Sequence, residues 1–161
     1  MKKCASLCVL FVIVLLGCSK SSPNVVDKFV GTWVWNQTLN DATFKGDGKY
    51  LITIKKTSET SANADYAYRF SGTYGGNAAT QTSDGSFGLL NVEADALGST
   101  NVLYNIQTVL IYQKSGTPVT LKDNYSYKFA KIKFEITSSN QLQITQTPDG
   151  GSPSVSTYTK Q

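Results

Sequence analysis

The sequence predicts an all-β domain of about eight antiparallel strands, and three observations carry this prediction. Apolar and polar residues alternate with a period of two in many segments, as in strands with one buried and one wet face. Short clusters of Gly, Asn, Asp and Ser separate these segments. Charged residues are only 16% of the chain, whereas Thr, Ser, Tyr, Gly and Val are plentiful, which favours strands. An up-and-down barrel and a sandwich both fit this pattern.

The first residues do not belong to this sheet. Lys2 and Lys3 give a positive start, and residues 7–16 are uninterrupted apolar sequence. A helix needs about 20 apolar residues to cross a bilayer, so this run is too short for a permanent span. Its charge, its length and the small Gly17 at its end are typical of a secretory signal peptide. We therefore predict that residues 1–17 are removed.

The end of this leader, Leu15-Leu16-Gly17-Cys18, resembles the lipobox of bacterial lipoproteins. The resemblance implies that the Cys18 sulfur receives a diacylglyceryl group, and that the new amino terminus is acylated after the cut, for example with palmitate. The alternatives are an ordinary signal peptide or a buried apolar strand with a chance cysteine. Cys4 and Cys8 lie in the discarded leader, so the mature domain is expected to contain no disulfide.

The segment after Cys18 predicts a tether and a location. Residues 18–27 are mostly polar and would lift the domain, residues 28–161, off a lipid surface. Two acyl chains anchor a protein stably, so the membrane is an expected partner. Ser19 follows the cysteine and residues 20–24 contain no acidic run. By resemblance to bacterial sorting signals, we expect the cell envelope, on the periplasmic face of the outer membrane, with surface exposure as the alternative.

Eight segments carry the strand alternation, and residues 24–30 are predicted to form a helical turn before them. The strands are predicted at 32–38, 49–56, 66–74, 86–93, 101–113, 127–137, 141–147 and 156–160. The clearest alternation turns Ile132, Phe134 and Ile136 inward and the charged residues between them outward. Inward faces are also predicted for Trp33, Trp35, Tyr50, Ile52, Ile54, Tyr66, Tyr68, Phe70, Leu142 and Ile144.

Turn-forming residues predict the connections between these strands. Turns are predicted at 46–48, 74–77, 84–85, 115–118, 138–140 and 149–151. A long loop is predicted at 57–65 and a shorter one at 96–99. Asp47, Asp84 and Asp149 each precede a glycine, but none has the alternating oxygen ligands of a calcium loop. They are therefore predicted to be turn residues.

Three short motifs resemble parts of the lipocalins. Phe29-Val30-Gly31-Thr32-Trp33 resembles their opening Gly-x-Trp motif, in which a helical turn leads into the first strand and the Trp closes one barrel end. Residues 44–50 and 70–74 resemble a hairpin and a following strand of the lipocalin-like lipoproteins of Bacteroidetes. The resemblance implies an antiparallel up-and-down lipocalin-like barrel.

The sequence departs from that family at one position. In lipocalins an arginine of the last strand packs across the Trp, whereas the only arginine of this chain is Arg69. Lys160 is the nearest late candidate for that position.

Several kinds of chemistry are missing from the sequence. There is no histidine, which removes Ser-His-Asp and Cys-His nucleophile arrangements and the usual transition-metal sites. Glu93 and Asp95 could share a strand face as an acid pair, but a solvated pair beside a loop is the more common arrangement. The basic residues are scattered and nearly balanced by acidic ones, so no nucleic-acid partner is predicted. We predict no catalysis and no cofactor.

Two functions remain open from sequence. The first is a lipid-anchored binding module whose barrel accepts a small hydrophobic ligand. Its candidate ligand-binding residues are Trp35, Tyr50, Tyr68, Phe70 and Tyr104. The second is a non-catalytic structural or interaction lipoprotein with a filled barrel, in which the loop at 57–65 contacts an envelope protein. An internal cavity of a few hundred Å³, on the order of known ligand sites, would favour the first.

Overall fold

The computed structural model describes residues 24–161, in which eight β-strands follow one short 3-10 helix. The helix covers Val25–Lys28, and the strands are β1 (Gly31–Asn40), β2 (Phe44–Ser58), β3 (Ser61–Tyr74), β4 (Asn77–Glu93), β5 (Ala96–Lys114), β6 (Thr117–Ser138), β7 (Gln141–Pro148) and β8 (Ser154–Lys160). Each strand pairs antiparallel with the next, and β8 returns to β1, which closes the barrel. The predicted fold class is confirmed: the domain is an all-β, up-and-down, lipocalin-like barrel and not a sandwich.

The predicted leader, Cys18 and the first part of the tether lie outside the described residues. The described structure starts at Asn24, whose side-chain oxygen accepts a hydrogen bond from the Val26 amide at 2.8 Å and so caps the 3-10 helix. Within the described part of the chain, no helix is long and apolar enough to span a membrane.

The two ends of the barrel differ. The packed end holds the 3-10 helix and the turns that follow β2, β4 and β6, and the open end holds the turns that follow β1, β3, β5 and β7. Large apolar side chains fill the packed end, each no more than 1% exposed: Phe29, Trp33, Ile52, Ile54, Leu90, Leu97, Ile132, Phe134 and Leu142. The core of the domain therefore lies at the packed end.

Trp33 closes the packed end, as the resemblance to lipocalins implied. Its side chain is fully buried, and its indole Nε1 donates a hydrogen bond to the Phe29 carbonyl oxygen at 2.8 Å. The Lys160 ammonium lies 5.2 Å from the centroid of the Trp33 ring, within cation–π range. Lys160 thus takes the position expected of it. The seam between β1 and β8 is short, because only Trp33–Lys160 and Val34–Thr159 are paired across it in the described structure.

The predicted alternation is confirmed in β6. Ile132 and Phe134 are fully buried, whereas Lys133 points outward and its ammonium lies 2.7 Å from the Glu135 carboxylate. A slip of one residue in the pairing of β6 would send the apolar set into water. The apolar alternation therefore fixes the register of this strand.

Two of the predicted turns are wrong. Residues 46–48 lie within β2 and residues 84–85 within β4, whereas the other four predicted turns are confirmed. Gly46 has a φ of 147°, and a Cβ atom there would collide with the backbone of Ser71. Glycine in a strand often marks such a close backbone approach. The glycines that suggested turns are thus required by packing inside strands.

Both predicted loops are also wrong. At 57–65 there is a tight hairpin, because β2 runs to Ser58 and β3 starts at Ser61, with the two hydroxyl oxygens 2.6 Å apart. Residues 96–99 form the first part of β5, where Leu97 is fully buried. Hydrogen-bonding serines and one buried leucine extend the strands through segments that have a loop-like composition.

The two carboxylates considered as an acid pair are separated. Glu93 is the last residue of β4, and Asp95 lies in the turn that follows. Glu93 instead forms an ion pair with Lys131 of β6, at 2.9 Å. The shared strand face that such a pair requires does not form.

The strands of the barrel differ in length, so its wall does not extend equally far toward the open end on all sides. β7 pairs with β6 only from Phe129 onward, so within the described structure residues 117–128 of β6 are paired with β5 alone. On the other side, residues 35–40 of β1 are paired with β2 but have no register partner in β8. We call these two stretches, which lie toward the open end, the upper parts of β6 and β1. The open end therefore has a gap in its wall between them.

Candidate ligand-binding site

A cavity of about 630 Å³ lies at the open end, and we call it the cup. The inner faces of β2 to β6 line it, together with Thr43 in the turn before β2. Its wall contains six tyrosines: Tyr50, Tyr66, Tyr68, Tyr74, Tyr125 and Tyr127. The remaining wall residues are Phe44, a few aliphatic side chains and a few polar ones. The cup is thus aromatic in surface and carries many hydroxyl groups.

A second cavity of about 220 Å³ adjoins the cup, and we call it the recess. The two cavities share Tyr50, Tyr66, Ile106 and Tyr127 as wall residues. From there the recess extends to Tyr158 and its neighbours on β7 and β8. The two cavities therefore lie next to each other inside the barrel.

Three aromatic residues stand side by side across β1, β2 and β3. Trp35 pairs in register with Tyr50, and Tyr50 pairs with Tyr68. The Trp35 and Tyr50 rings are stacked with centroids 4.6 Å apart, and the Tyr50 and Tyr68 centroids are 4.5 Å apart. Cross-strand aromatic pairs of this kind stabilise a sheet. They also form one continuous aromatic wall.

Two strand glycines make room for tyrosine rings of the site. A Cβ atom on Gly48 would lie 2.9 Å from the Tyr68 ring, and one on Gly85 would lie 2.8 Å from the Tyr104 ring. The Gly85 position would also bring Cβ within 2.6 Å of the Asn105 carbonyl oxygen. These are the glycines that, from sequence, were assigned to turns. Their structural role is to let the rings lie flat against the sheet.

Tyr104 is the most unusual residue of the site. It is 4% exposed and its ring stacks on Phe87 with centroids 4.5 Å apart. It forms part of the wall of the recess, yet among the described residues its hydroxyl oxygen is the buried side-chain polar atom without a hydrogen-bond partner. A buried hydroxyl in this state is destabilising by about 1–3 kcal/mol. A polar atom of a ligand would remove that penalty.

Burial keeps the tyrosines of the site protonated. Burial raises the pKa of Tyr68 to about 12 and raises the pKa of Tyr50, Tyr66 and Tyr104 as well. Neighbouring tyrosines add to the effect at Tyr66 and Tyr104, because two phenolates would repel each other. At neutral pH these hydroxyls are therefore uncharged groups that can donate a hydrogen bond.

Asp123 is the charged side chain among the described residues that line the cup. It lies on the upper part of β6, exposed to solvent, and one of its carboxylate oxygens accepts a hydrogen bond from the Tyr125 hydroxyl at 3.1 Å. The cup is thus an aromatic cavity with one negatively charged side chain in its wall.

The residues predicted from sequence fall into two groups. Tyr50 and Tyr68 line the cup, and Trp35, Tyr50 and Tyr104 line the recess. Phe70 is buried above them and packs edge-on against Phe44 with centroids 5.4 Å apart. Four of the five candidates thus surround the two cavities, and their role as ligand-binding residues stays a prediction.

The upper part of β6 was missing from the predicted site. Tyr125 and Tyr127 line the cup, although the strand was predicted to begin only at residue 127. Pro118, Asp123 and the neighbouring Asn residue made this segment resemble a loop. The spacing Tyr125-x-Tyr127-x-Phe129 was the available signal, because it repeats aromatic residues with the period of a strand.

Comparison with protein-family models, with curated proteins and with solved structures gives no match. In the part of the chain that the structure describes, no group of three or more His, Cys, Asp or Glu residues is placed to hold a metal ion. A function must therefore be inferred from the cup and the recess themselves.

Proposed function

We propose that this chain is a non-catalytic, lipid-anchored lipoprotein of the bacterial cell envelope whose lipocalin-like barrel binds a small, mainly hydrophobic ligand. The observation that carries the proposal is the cup of about 630 Å³, next to a buried Tyr104 hydroxyl that has no partner within the described residues. Ligand sites in proteins are typically concave, about 300–1,000 Å³ in volume, and lined by apolar surface with a few polar groups. The cup has this shape and volume, and its wall combines aromatic rings with more hydroxyl groups than such sites usually carry.

The alternative is a structural or interaction lipoprotein with a filled barrel. The packed end supports it, because large apolar side chains fill that half of the barrel. The open end favours the binding function, since the tyrosines there leave a cavity. The segment at 57–65, which the alternative needs as a contact loop, is a tight hairpin and offers little surface. We therefore prefer the binding function.

Tyr104→Phe tests the proposal, because it removes one hydroxyl and keeps the ring. We expect the ligand-free variant to be more stable than the wild type by about 1 kcal/mol, since a buried unpartnered hydroxyl is lost. We expect the same variant to bind neutral naphthylmethanol more weakly, as measured by isothermal titration calorimetry. A gain in stability together with a loss of affinity distinguishes a ligand contact from a residue that only packs.

Tyr112→Phe is the matched control. Tyr112 is partly buried and packs against Tyr74 at the rim of the open end, with centroids 5.1 Å apart. The same chemical change there should leave the affinity for naphthylmethanol unaltered. If the wild type shows no saturable binding, and mass spectrometry finds no small molecule with the protein extracted from its native membrane, the filled barrel is correct.

Cys18→Ser tests the lipid anchor. The lipobox resemblance predicts that the full-length chain is labelled by radioactive palmitate and enters the detergent phase on phase separation. The serine variant should lose both properties, because serine offers no sulfur for the diacylglyceryl group. A serine variant that keeps its label and still enters the detergent phase would contradict lipidation at residue 18.

A further inference from the structure

We propose that the cup selects a flat organic cation, with its positive group at Asp123 and its aromatic body between the tyrosine rings. This inference rests on the proposed function of the cup and names the chemical class of its ligand. Three observations support it: the charge at the entrance, the orientation of the rings along β6, and the unpartnered hydroxyl in the recess.

The charge at the entrance is negative. Asp123 is the charged group among the described residues of the cup wall. The lysines of this part of β6, Lys122 and Lys128, lie on the opposite face of the strand from Asp123. The Lys128 ammonium forms an ion pair with Asp149 at 2.8 Å. A ligand with a carboxylate would meet repulsion from Asp123, whereas an ammonium group would be attracted.

A second carboxylate lies beside the entrance. Asp41 is in the turn between β1 and β2 and accepts hydrogen bonds from the amides of Thr43 and Phe44, each at 2.7 Å. Those two residues belong to the cup wall. The same hydrogen bonds lower the pKa of Asp41, so this carboxylate stays charged near the entrance.

Aromatic rings follow Asp123 along β6. Tyr125, Tyr127 and Phe129 follow one another on the inner face, with centroid separations of 6.4 and 6.5 Å and interplanar angles of 32° and 22°. An aromatic ring carries partial negative charge on its face and attracts a cation within about 6 Å. Asp123, Tyr125 and Tyr127 line the cup together, so an ammonium group at Asp123 lies beside two of these rings.

The recess fixes the other end of the ligand. Tyr104 is 4% exposed, and its hydroxyl has no hydrogen-bond partner among the described residues. Tyr104 pairs in register with Tyr127, so the recess and the aromatic row meet at this level of the barrel. The ligand that satisfies all three features is a flat amine with a hydrogen-bond acceptor at the end opposite its ammonium group.

Three probes with one aromatic body test the charge selectivity. Naphthylmethylammonium, naphthylmethanol and naphthoate differ mainly in the charge of their polar group, and calorimetry on the full-length protein at neutral pH gives their affinities. We expect the cation to bind about tenfold tighter than the alcohol, as one exposed ion pair and one cation–π contact together provide. Naphthoate should bind weakest, and the preference should shrink as salt is added.

Asp123→Asn should remove the preference for the cation and leave the affinity for naphthylmethanol within about twofold of the wild type, since an exposed substitution of equal size hardly affects the fold. Asp149→Asn is the matched control, because this exposed carboxylate is paired with Lys128 outside the cup. It should keep the wild-type preference.

The possible results separate the two proposals. Binding of the alcohol without any preference for the cation overturns the charge selectivity and leaves the binding function standing. A preference that survives Asp123→Asn also overturns it. If none of the three probes binds, the selectivity for a flat cation is overturned, and mass spectrometry of the protein extracted from its native membrane decides between another ligand and the filled barrel.

Discussion

The packed end and the open end are built from the same strands, yet one is filled and the other is hollow. At the packed end, Trp33, Leu97 and Phe134 are fully buried and interlock across the barrel. At the open end, Tyr125 and Tyr127 remain 45% and 47% exposed although they lie on the inner face. β7 and β8 are short and do not extend to the open end, so the difference comes both from the side chains and from the gap that these two strands leave.

The comparison shows how one alternating pattern produces two kinds of interior. Isoleucine, leucine and phenylalanine have no polar atom, so they can fill a closed space completely. A tyrosine in the same position carries a hydroxyl, which must reach water, a protein group or a ligand. A run of inward tyrosines therefore keeps a barrel open where a run of inward leucines would close it.

Trp33→Ala breaks the packed end and should have the largest effect. The substitution removes a fully buried indole, its hydrogen bond to Phe29 and its contact with Lys160. We expect the free energy of unfolding to fall by about 3–5 kcal/mol, as large aromatic truncations in cores do. Chemical denaturation followed by circular dichroism measures the loss.

Lys133→Ala is the control for that prediction. Lys133 lies on the outer face of β6 and forms an exposed ion pair with Glu135. Its removal should change the free energy of unfolding by no more than about 0.5 kcal/mol. Equal losses from the two substitutions would contradict the assigned inner and outer faces.

Gly85→Ala sharpens the comparison at the level of the recess. The added methyl group would meet the Asn105 carbonyl oxygen and the Tyr104 ring, so both backbone and ring must move. We expect the free energy of unfolding to fall by about 1–3 kcal/mol, in the range of other overpacking substitutions.

Gly48→Ala is the matched comparison. It should lower the free energy of unfolding by less, because only the ring of Tyr68 has to move. A larger loss for Gly48→Ala in the same denaturation experiment would show that the two glycines have other roles.

Alkaline pH should affect the open end through its buried tyrosines. Burial raises the pKa of Tyr68 from 10.0 to about 12, so the folded state holds this proton more tightly than the unfolded state does. The resulting stability is complete below pH 10 and is lost as the pH rises towards 12. Tyrosinate absorbance from the buried tyrosines should therefore develop together with the loss of the circular dichroism signal.

Tyr68→Phe provides the control for the alkaline transition. The variant lacks this ionisable group, so its unfolding should shift to higher pH. If the absorbance change of the wild type is complete while its circular dichroism is still native, hydroxide reaches these hydroxyls in the folded barrel, and the cup is more open than the structure shows.

Sequence alternation predicted the barrel well, because each strand has an inward and an outward face, although residues 120–128 of β6 are exposed on both. It failed where one residue type has two physical roles. Gly48 and Gly85 suggested turns, yet each makes room for a tyrosine ring from a neighbouring part of the sheet. That neighbour is distant in sequence, so no local pattern distinguishes the two roles.

The candidate site was predicted in part for a similar reason. Trp35, Tyr50 and Tyr68 follow one alternation and stand in register, so they were predicted together. On β5, by contrast, the inward face changes phase at Asn101, which has a φ of 53°: Leu97 and Val102 are both buried although they are an odd number of positions apart. The strand was predicted to begin at residue 101, where the phase changes, so Tyr104 was predicted while the buried residues 96–98 were assigned to a loop.

The short seam between β1 and β8 has a consequence for the order in which the barrel is made. During folding, each hairpin from β1 to β7 can form early, because its two strands are neighbours in the sequence. The Trp33 ring must wait for Lys160, and the Thr32 carbonyl oxygen for the Gln161 amide, which donates to it at 3.0 Å. Until the last strand pairs with β1, an unclosed sheet exposes its largest apolar side chain. The few contacts of this seam therefore complete the burial of Trp33 and remove the two free edges of the sheet.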